Sequence, residues 1–510
     1  MRRALISVYD KTGLDELGRG LAELGVEIVA SGGTAAFLEE RGIALTRVEE
    51  IVNLPELFGG RVKTLHPKIH AAILARETEE DAEALARLGI EPFDLVCVNL
   101  YPFEQAASRL GAADEDVVEM IDVGGPAMLR GAAKNFGRVA PICRPEQYQP
   151  LLVELREHGA LSLQTRRRLA AEAFAASAAY EAAIASWLGG DEPFPERLAL
   201  AFERRLDLSY GENPHQGAAY YAESGARRHV LSRVEQLHGK QLSFNNLGDL
   251  SAARILLEEF ELPACVIVKH ANPSGVALAK TIEEAYERAL ASDPVSAYGG
   301  VVVLNRPVSA ELGSRLAEQF VEVLFAPGYN GDGLAVLRQK PATRILLDEE
   351  RRRLSPGERD YRRVLGGLLV QDRDVESEDR ESMRVVCGQL DESAWGDVLF
   401  AWRVCKHVTS NAIVLARNLQ TLGIGAGQMS RVDAVRIALE KAHELGHSLD
   451  GATLASDAFF PFADGPQLAL DAGARVVVQP GGSKRDDEVI AAVDWAGAAM
   501  VMTGRRHFRH

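Results

Sequence analysis

A cation and an imidazole stand side by side at Lys269 and His270, at the end of the run Val266-Ile267-Val268, whose β-branched residues read as a buried strand. A neutral imidazole held there could accept a proton as a general base. A neighbouring ammonium could stabilise an oxyanion. The pair is equally compatible with a core histidine beside a snorkelling lysine. Asn272, Pro273 and Gly275 follow and read as a turn that leads the chain away.

Other stretches also combine chemistry-bearing residues. In ASGGTAAFL, 30–38, a strand meets a Gly-Gly turn and a helix start with Thr34 as N-cap. This is a phosphate cradle or a bare βα turn. In GGRVKTLHPKIH, 59–70, Arg61, Lys63, His66, Lys68 and His70 crowd behind a double glycine. They could neutralise a phosphate or polarise a carbonyl, or form a solvated basic loop. VNLYPF ends a strand with Asn99 and Tyr101, and IDVGGPAMLRGAAKN offers Asp122 and Lys134 around a Gly-Gly-Pro turn. HELGH, 443–447, spells a zinc-peptidase motif, but Gly446 weakens a helix there, and an exposed helix end is the better reading. In GIGAGQMSR, 423–431, Arg431 opens a helix, where a cation calls for an anion nearby. The loops 208–221 and 239–253 are rich in Asn, Gly, Gln and aromatics. The basic tail TGRRHFRH reads by itself as frayed.

The elements needed to position these residues follow from periodicity. The first 140 residues alternate strand and helix patterns, which implies a parallel sheet with helices on its faces and ligands at the strands' carboxyl ends. The stretch 189–196, GGDEPFPE, reads as a linker and divides a domain 1–188 from a domain 197–510. The second domain carries an internal duplication. KHANPSGVALAK, 269–280, aligns with KHVTSNAIVLAR, 406–417. Ala285, Ala289 and Leu290 then match Ala434, Ala438 and Leu439, and Ala-Ser-Asp recurs at 291–293 and 455–457. A site between such halves would draw on both.

Composition narrows the function classes. The 510 residues suggest two to four domains, and 47% hydrophobic with 25% charged residues is ordinary for a globular protein. A net charge of −16 argues against nucleic acid as a partner. Five cysteines without a C-x-x-C pair fit a reduced compartment. Neither a signal peptide nor a membrane span is expected, so the expected location is cytoplasmic.

In order along the chain, SVYDKTG, SGGTA, GGRVKTLHP, NLYPF, IDVGGPAMLRGAAKN, YGENPHQ, KQLSFNN, VKHANPSG, SDPVSAYGG, GIGAGQMSR, SDAFFPF and the final F-x-H carry a resemblance. The chain resembles the bifunctional purine-biosynthesis family. That family joins a formyltransferase acting on AICAR (5-aminoimidazole-4-carboxamide ribonucleotide) to an inosine monophosphate (IMP) cyclohydrolase. The resemblance implies an α/β fold: an N-terminal methylglyoxal-synthase-like parallel-sheet domain, then two cytidine-deaminase-like α/β units. For the cyclohydrolase it implies substrate contacts at Ser7, Lys11, Ser31, Gly32, Gly33, Thr34, Arg61, Thr64, Asn99 and Gly124, with chemistry at Lys63, Tyr101, Asp122 and Lys134. For formyl transfer it implies Lys269, His270 and Asn411 as catalytic, with AICAR at Tyr210, Gly299, Glu322 and Arg431. The folate would lie near Phe459, Asp464, Gly481 and Gly482, with Arg506, Phe508 and His510 on a tail folded back into the site. The implied co-substrate is 10-formyltetrahydrofolate and the implied assembly a homodimer. No zinc is expected, and an alkali cation is left open. Two departures stand out. Ser209 replaces a usual phosphate-binding Arg, for which Arg204, Arg205 or Arg431 would have to compensate, and Glu322 replaces the Asp of some members. Ser209 keeps open a cyclohydrolase whose second half only dimerises or binds nucleotide. A non-catalytic nucleotide sensor uses the same loops.

Overall fold

The structure, a computed structural model, describes residues 1–53, 58, 61–109, 111–190, 192–224, 231, 234–349 and 357–510. The double glycine at 59–60 of the basic run lies outside them. The chain divides into a first unit, essentially Met1–Glu203, and a second formed by Arg204–Ala222 and most of the remainder to His510.

The first unit is built on five strands, β1 (Arg3–Val8), β2 (Glu27–Ala30), β3 (Thr46–Arg47), β4 (Leu95–Asn99) and β5 (Ala140–Ile142). They run parallel in the order β3-β2-β1-β4-β5. Alternate strand residues serve opposite faces. Ala4, Ile6, Ile28 and Cys97 pack with Leu17, Leu21 and Leu152 on one side. Leu5, Val29, Val96 and Val98 pack with Ile69, Ile73 and Met128 on the other. Burial on both faces explains why these strands are nearly all apolar. The chain leaves β1 toward β2 on one side and later returns to place β4 on the other. A crevice therefore opens beyond the carboxyl ends of β1 and β4.

The second unit holds a mixed sheet of twelve strands. In chain order they are β6 (Glu235–His238), β7 (Ala264–Lys269), β8 (Asn272–Leu278), β9 (Val301–Leu304), β10 (Val323–Ala326), β11 (Arg344–Leu347), β12 (Arg384–Cys387), β13 (Ile413–Arg417), β14 (Gln420–Gly425), β15 (Thr453–Ser456), β16 (Val476–Gln479) and β17 (Ala499–Met502). The sheet order is β12-β17-β16-β15-β13-β14-β8-β7-β9-β10-β11-β6. Each half has the same plan: a hairpin, then three mutually parallel strands, then an antiparallel edge strand. The halves meet where β8 and β14 pair at Ala277 and Gln420. Helices Phe244–Leu257 and Glu392–Lys406 share one core on one face of the sheet, while the other helices form a separate core for each half on the opposite face.

The register of this repeat differs from the alignment drawn above. Lys269 ends strand β7, but Lys406 ends helix Glu392–Lys406. Ala-Ser-Asp 291–293 closes a helix, but 455–457 closes β15. Topology instead pairs β7–β8 with β13–β14. Gly275 and Gly423 then correspond: a Cβ at either would collide with a helix carbonyl, that of Ala289 or of Ala438. The match of Ala285 and Ala289 with Ala434 and Ala438 coincides with this register. The expected turn also moves: Asn272 and Pro273 begin β8, and the chain reverses at His270 and Ala271, both left-handed, with φ of 52° and 61°.

Candidate active sites

The crevice of the first unit is a cavity of about 650 Å³ whose lining includes Ser7, Lys11, Ser31, Gly33, Thr34, Arg61, Lys63, Thr64, Asn99, Tyr101, Asp122 and Gly124. Ser31, in extended conformation, caps helix Gly32–Glu39. Thr34 is therefore inside the helix and is not its N-cap. Its hydroxyl donates to the Val8 carbonyl and accepts from the Val8 amide, both at 3.0 Å, and so ties the helix start to β1. Lys11 donates to the Val8 carbonyl and lies 3.3 Å from the Thr34 hydroxyl. Ser7 and Ser31 bring their hydroxyls within 3.3 Å of each other. Asn99 accepts from the Asp10 amide at 3.0 Å and donates to the Asp10 carbonyl at 2.9 Å, which shapes the loop after β1. The result is a helix N-terminus, two small hydroxyls and an ammonium facing one space, which suits a phosphate.

Gly32 does not line the cavity, but Lys63 lies against it. Tyr101 is exposed at the rim, edge-on to Tyr9 with ring centroids 5.6 Å apart. Asp122 is half-buried and accepts from the Gly125 amide at 2.8 Å. Burial raises its pKa against that bond. Its own amide donates to Tyr180, whose hydroxyl donates to Met120. Gly124 closes on Thr64, where a Cβ would sit 2.7 Å from the hydroxyl. Arg61 is paired with Glu119.

Lys134 stands apart. It is the exposed last residue of helix Gly124–Lys134, whose N-terminus meets the cavity, so the two ends lie about 15 Å apart. The other basic residues of the run are structural. His66 caps helix Pro67–Leu74, Lys68 donates to the Ile51 carbonyl, and burial lowers the pKa of His70.

In the second unit, Lys269 donates to the Tyr298 carbonyl at 2.9 Å, and His270 is exposed at the hairpin tip. Gly299, at φ 72°, donates its amide to the Phe320 carbonyl. Glu322 accepts from Asn246 at 2.9 Å and faces Arg344 at 3.5 Å. Tyr210 accepts at its carbonyl from the Phe244 amide, at the start of the helix carrying Asn246. These residues gather at one end of the first half.

Asn411 and Arg431 come from the second half. Arg431 donates to Asn411 Oδ1 and Ser456 Oγ, each at 2.7 Å, and pairs with buried Asp457. The anion required at this helix start is thus the protein's own. The Asn272 side chain accepts from the Thr409 amide at 2.8 Å and so joins the hairpin to the segment holding Asn411. Phe459 and Asp464 follow β15, Gly481 and Gly482 follow β16, and the tail follows β17, so all sit beyond the ends of three adjacent parallel strands. The Phe460 amide donates to Gln479, and Arg506 stacks on Phe508.

The tail is folded back. His507 is 1% exposed and bonds Asp374 and Glu378, and its amide donates to the Asp457 carbonyl. Burial opposes its charge, but the two carboxylates raise its pKa to about 9. HELGH is broken: helix Arg431–Glu444 ends before Gly446, which has φ 74°, and His447 faces the Ser292 carbonyl at 3.1 Å. Its two histidines do not share a helix face. Buried Lys406 and His407 converge on half-buried Glu259, at 3.1 and 2.9 Å. Burial works against this carboxylate's charge, but these partners hold its pKa down at about 2. One residue that the sequence reading passed over is Asp249, which accepts from the Ala271 amide. The Gly-Asp step it shares with 396–397 was the available signal.

Comparison with known proteins matches residues 132–441 to the AICARFT/IMPCHase bienzyme family and residues 13–127 to the MGS-like domain. Among curated relatives, the bifunctional purine biosynthesis protein PurH of Cereibacter sphaeroides is 49% identical over 100% of this chain and 98% of its own. That of Persephonella marina is 47% identical over the whole of both chains. A solved structure described as the crystal structure of ForH is 40% identical, with a TM-score of 0.34, over 37% of this chain and 99% of its own.

Proposed function

The chain belongs to the AICARFT/IMPCHase bienzyme family, and on that premise we infer how its units carry two reactions: formyl transfer to AICAR, then closure of the product to IMP with loss of water. These are the last two steps of IMP biosynthesis. The first unit is assigned the cyclisation. Ser7, Lys11, Ser31, Gly33 and Thr34 would hold the nucleotide phosphate at the helix start. The carboxamide nitrogen attacks the formyl carbon, and the formyl oxygen becomes a hydroxyl that leaves as water. Because the attack is intramolecular, holding the two groups in register supplies much of the acceleration. Lys63 and Tyr101 stabilise charge on the oxygen, and Asp122 orients or deprotonates the carboxamide.

The second unit is assigned the transfer, with 10-formyltetrahydrofolate as donor. The AICAR amine attacks the formyl carbon, and the C–N bond forms as the carbonyl oxygen gains charge. His270 takes the amine proton, Lys269 stabilises the oxygen, and the folate nitrogen leaves with a proton. Asn411 and Arg431 would hold the nucleotide from the other half. We place the enzyme in the cytoplasm as a homodimer.

The convergence of phosphate-binding and chemical groups on one cavity of the first unit supports this reading most strongly. The test is turnover of AICAR with 10-formyltetrahydrofolate, followed by the absorbance of IMP. Formylated AICAR offered alone isolates the cyclisation. His270→Ala should abolish the first reaction and spare the second. Undiminished formyl transfer in that variant would overturn the assignment.

A further inference from the structure

We infer that Asp249 is a positioning residue for formyl transfer, holding the His270–Ala271 turn so that the imidazole keeps its aim; this rests on reading His270 as the proton acceptor. A two-residue hairpin turn with both residues left-handed is the geometry for which Asn-Gly is preferred. Here the two positions are His and Ala, at φ 52° and 61°. Positive φ is uncommon for any residue but glycine; His tolerates it better than most, and Ala has no side chain to support it, so a partner outside the turn is needed to hold the pair.

Asp249 does so from helix Phe244–Leu257. Its Oδ1 accepts from the Ala271 amide at 2.7 Å, and the His270 amide also faces the carboxylate. Arg509 approaches the turn from the tail and donates to the Ala271 carbonyl at 3.1 Å. Glu322 interacts electrostatically with Asp249, and Lys269 precedes the imidazole on β7.

The second half repeats the device without the imidazole. The β13–β14 turn is Asn418–Leu419, with φ of 52° and 60°. Its two amides donate to Asp397 at 2.8 and 2.7 Å. Asp397 is the sixth residue of helix Glu392–Lys406, as Asp249 is the sixth of Phe244–Leu257, and each follows a glycine, Gly396 or Gly248. An aspartate reaching from that helix to that turn is therefore built into the fold. Only in the first half does the turn present a side chain able to accept a proton. Asp397 is 5% exposed, whereas Asp249 is half-buried beside the exposed His270.

The experiment compares Asp249→Ala, Asp249→Asn and Asp397→Asn in the full chain. Asp249→Ala should lower kcat for formyl transfer by about 10–100-fold. KM for AICAR should stay within about threefold, because a misaimed base costs turnover more than ground-state binding. Cyclisation serves as the internal control and should be unchanged. Asp249→Asn keeps an oxygen for the Ala271 amide and should retain most of kcat. Asp397→Asn should lower the melting temperature and leave kcat unchanged. Wild-type kcat in Asp249→Ala would overturn the proposal. So would equal losses of kcat at 249 and 397. A wild-type enzyme without formyl transfer would instead sink the reading of His270, and this proposal with it.

Discussion

The ammonium of Lys63 lies against Gly32, so closely that a Cβ on that glycine would collide with Nζ. Gly32 also has φ 46°, where a side chain costs about 1–2 kcal/mol. The glycine thus leaves room for the cation at the helix start to which the phosphate is assigned. Gly32→Ala should fold, because a lysine tip can swing aside, but it should displace Lys63. The expected outcome is a loss of about 10–100-fold in cyclisation kcat/KM, with formyl transfer intact. Wild-type cyclisation of formylated AICAR by this variant would remove Lys63 from the chemistry.

Asp122 gives the cyclisation a pH signature. Burial raises its pKa above the usual 3.8, and the Gly125 amide only partly offsets this. In the role proposed for it, the carboxylate is the form that orients or deprotonates the carboxamide, so the rate should fall as pH drops through this raised value. Asp122→Asn should lower kcat by about 10²–10⁴-fold and abolish that limb. Measuring cyclisation between pH 4 and 8 in both proteins checks the claim.

Four of the first unit's strands could be read from sequence because burial on both faces makes their centres apolar runs, as in Leu95–Val98, whereas the short polar edge strand Thr46–Arg47 could not. What depended on distant partners could not. Thr34 has the residue type of an N-cap, but its partner is the backbone of Val8, on another strand. The repeat of the second unit was detected, but shared Lys-His letters set its register. One copy of that pair ends a strand, and the other is buried against Glu259. The glycines at 275 and 423, which must admit a helix carbonyl, mark the true register. Lys134 falls in a matching motif, but the eleven residues of a rigid helix carry it away from the cavity. The tail looked frayed because the carboxylates that fix His507 lie 133 and 129 residues away.

His507 makes the tail sensitive to alkali. Its pKa is about 9 in the folded chain and about 6.5 when unfolded. A raised value means the stabilisation is complete below about pH 6.5 and is lost as pH rises through 9. Allowing for solvent screening at the partly exposed Asp374, the contribution is on the order of 2 kcal/mol. His507→Gln should therefore lower the urea midpoint at pH 6, and its difference from wild type should shrink toward pH 9.5. A difference that stays constant across that range would show that the imidazolium does not hold the tail.

Ser209 is exposed, and its hydroxyl donates to the Leu242 carbonyl at 3.1 Å. It precedes Tyr210, which the family resemblance assigns to AICAR. Among nearby candidates for a replacement cation, Arg204 is paired with Asp207 at 3.1 Å and Arg431 is held by Asp457. An arginine introduced at 209 would, among the described residues, replace only that bond, and it could meet a phosphate bidentately. A partly exposed pair of this kind contributes about 1–2 kcal/mol. Ser209→Arg should therefore lower KM for AICAR by about 5–30-fold, with kcat nearly unchanged, since the added contact is equally strong in ground and transition states. The gain should weaken with added salt. Steady-state kinetics at two ionic strengths measures this, and an unchanged KM would mean that the phosphate of AICAR lies away from position 209.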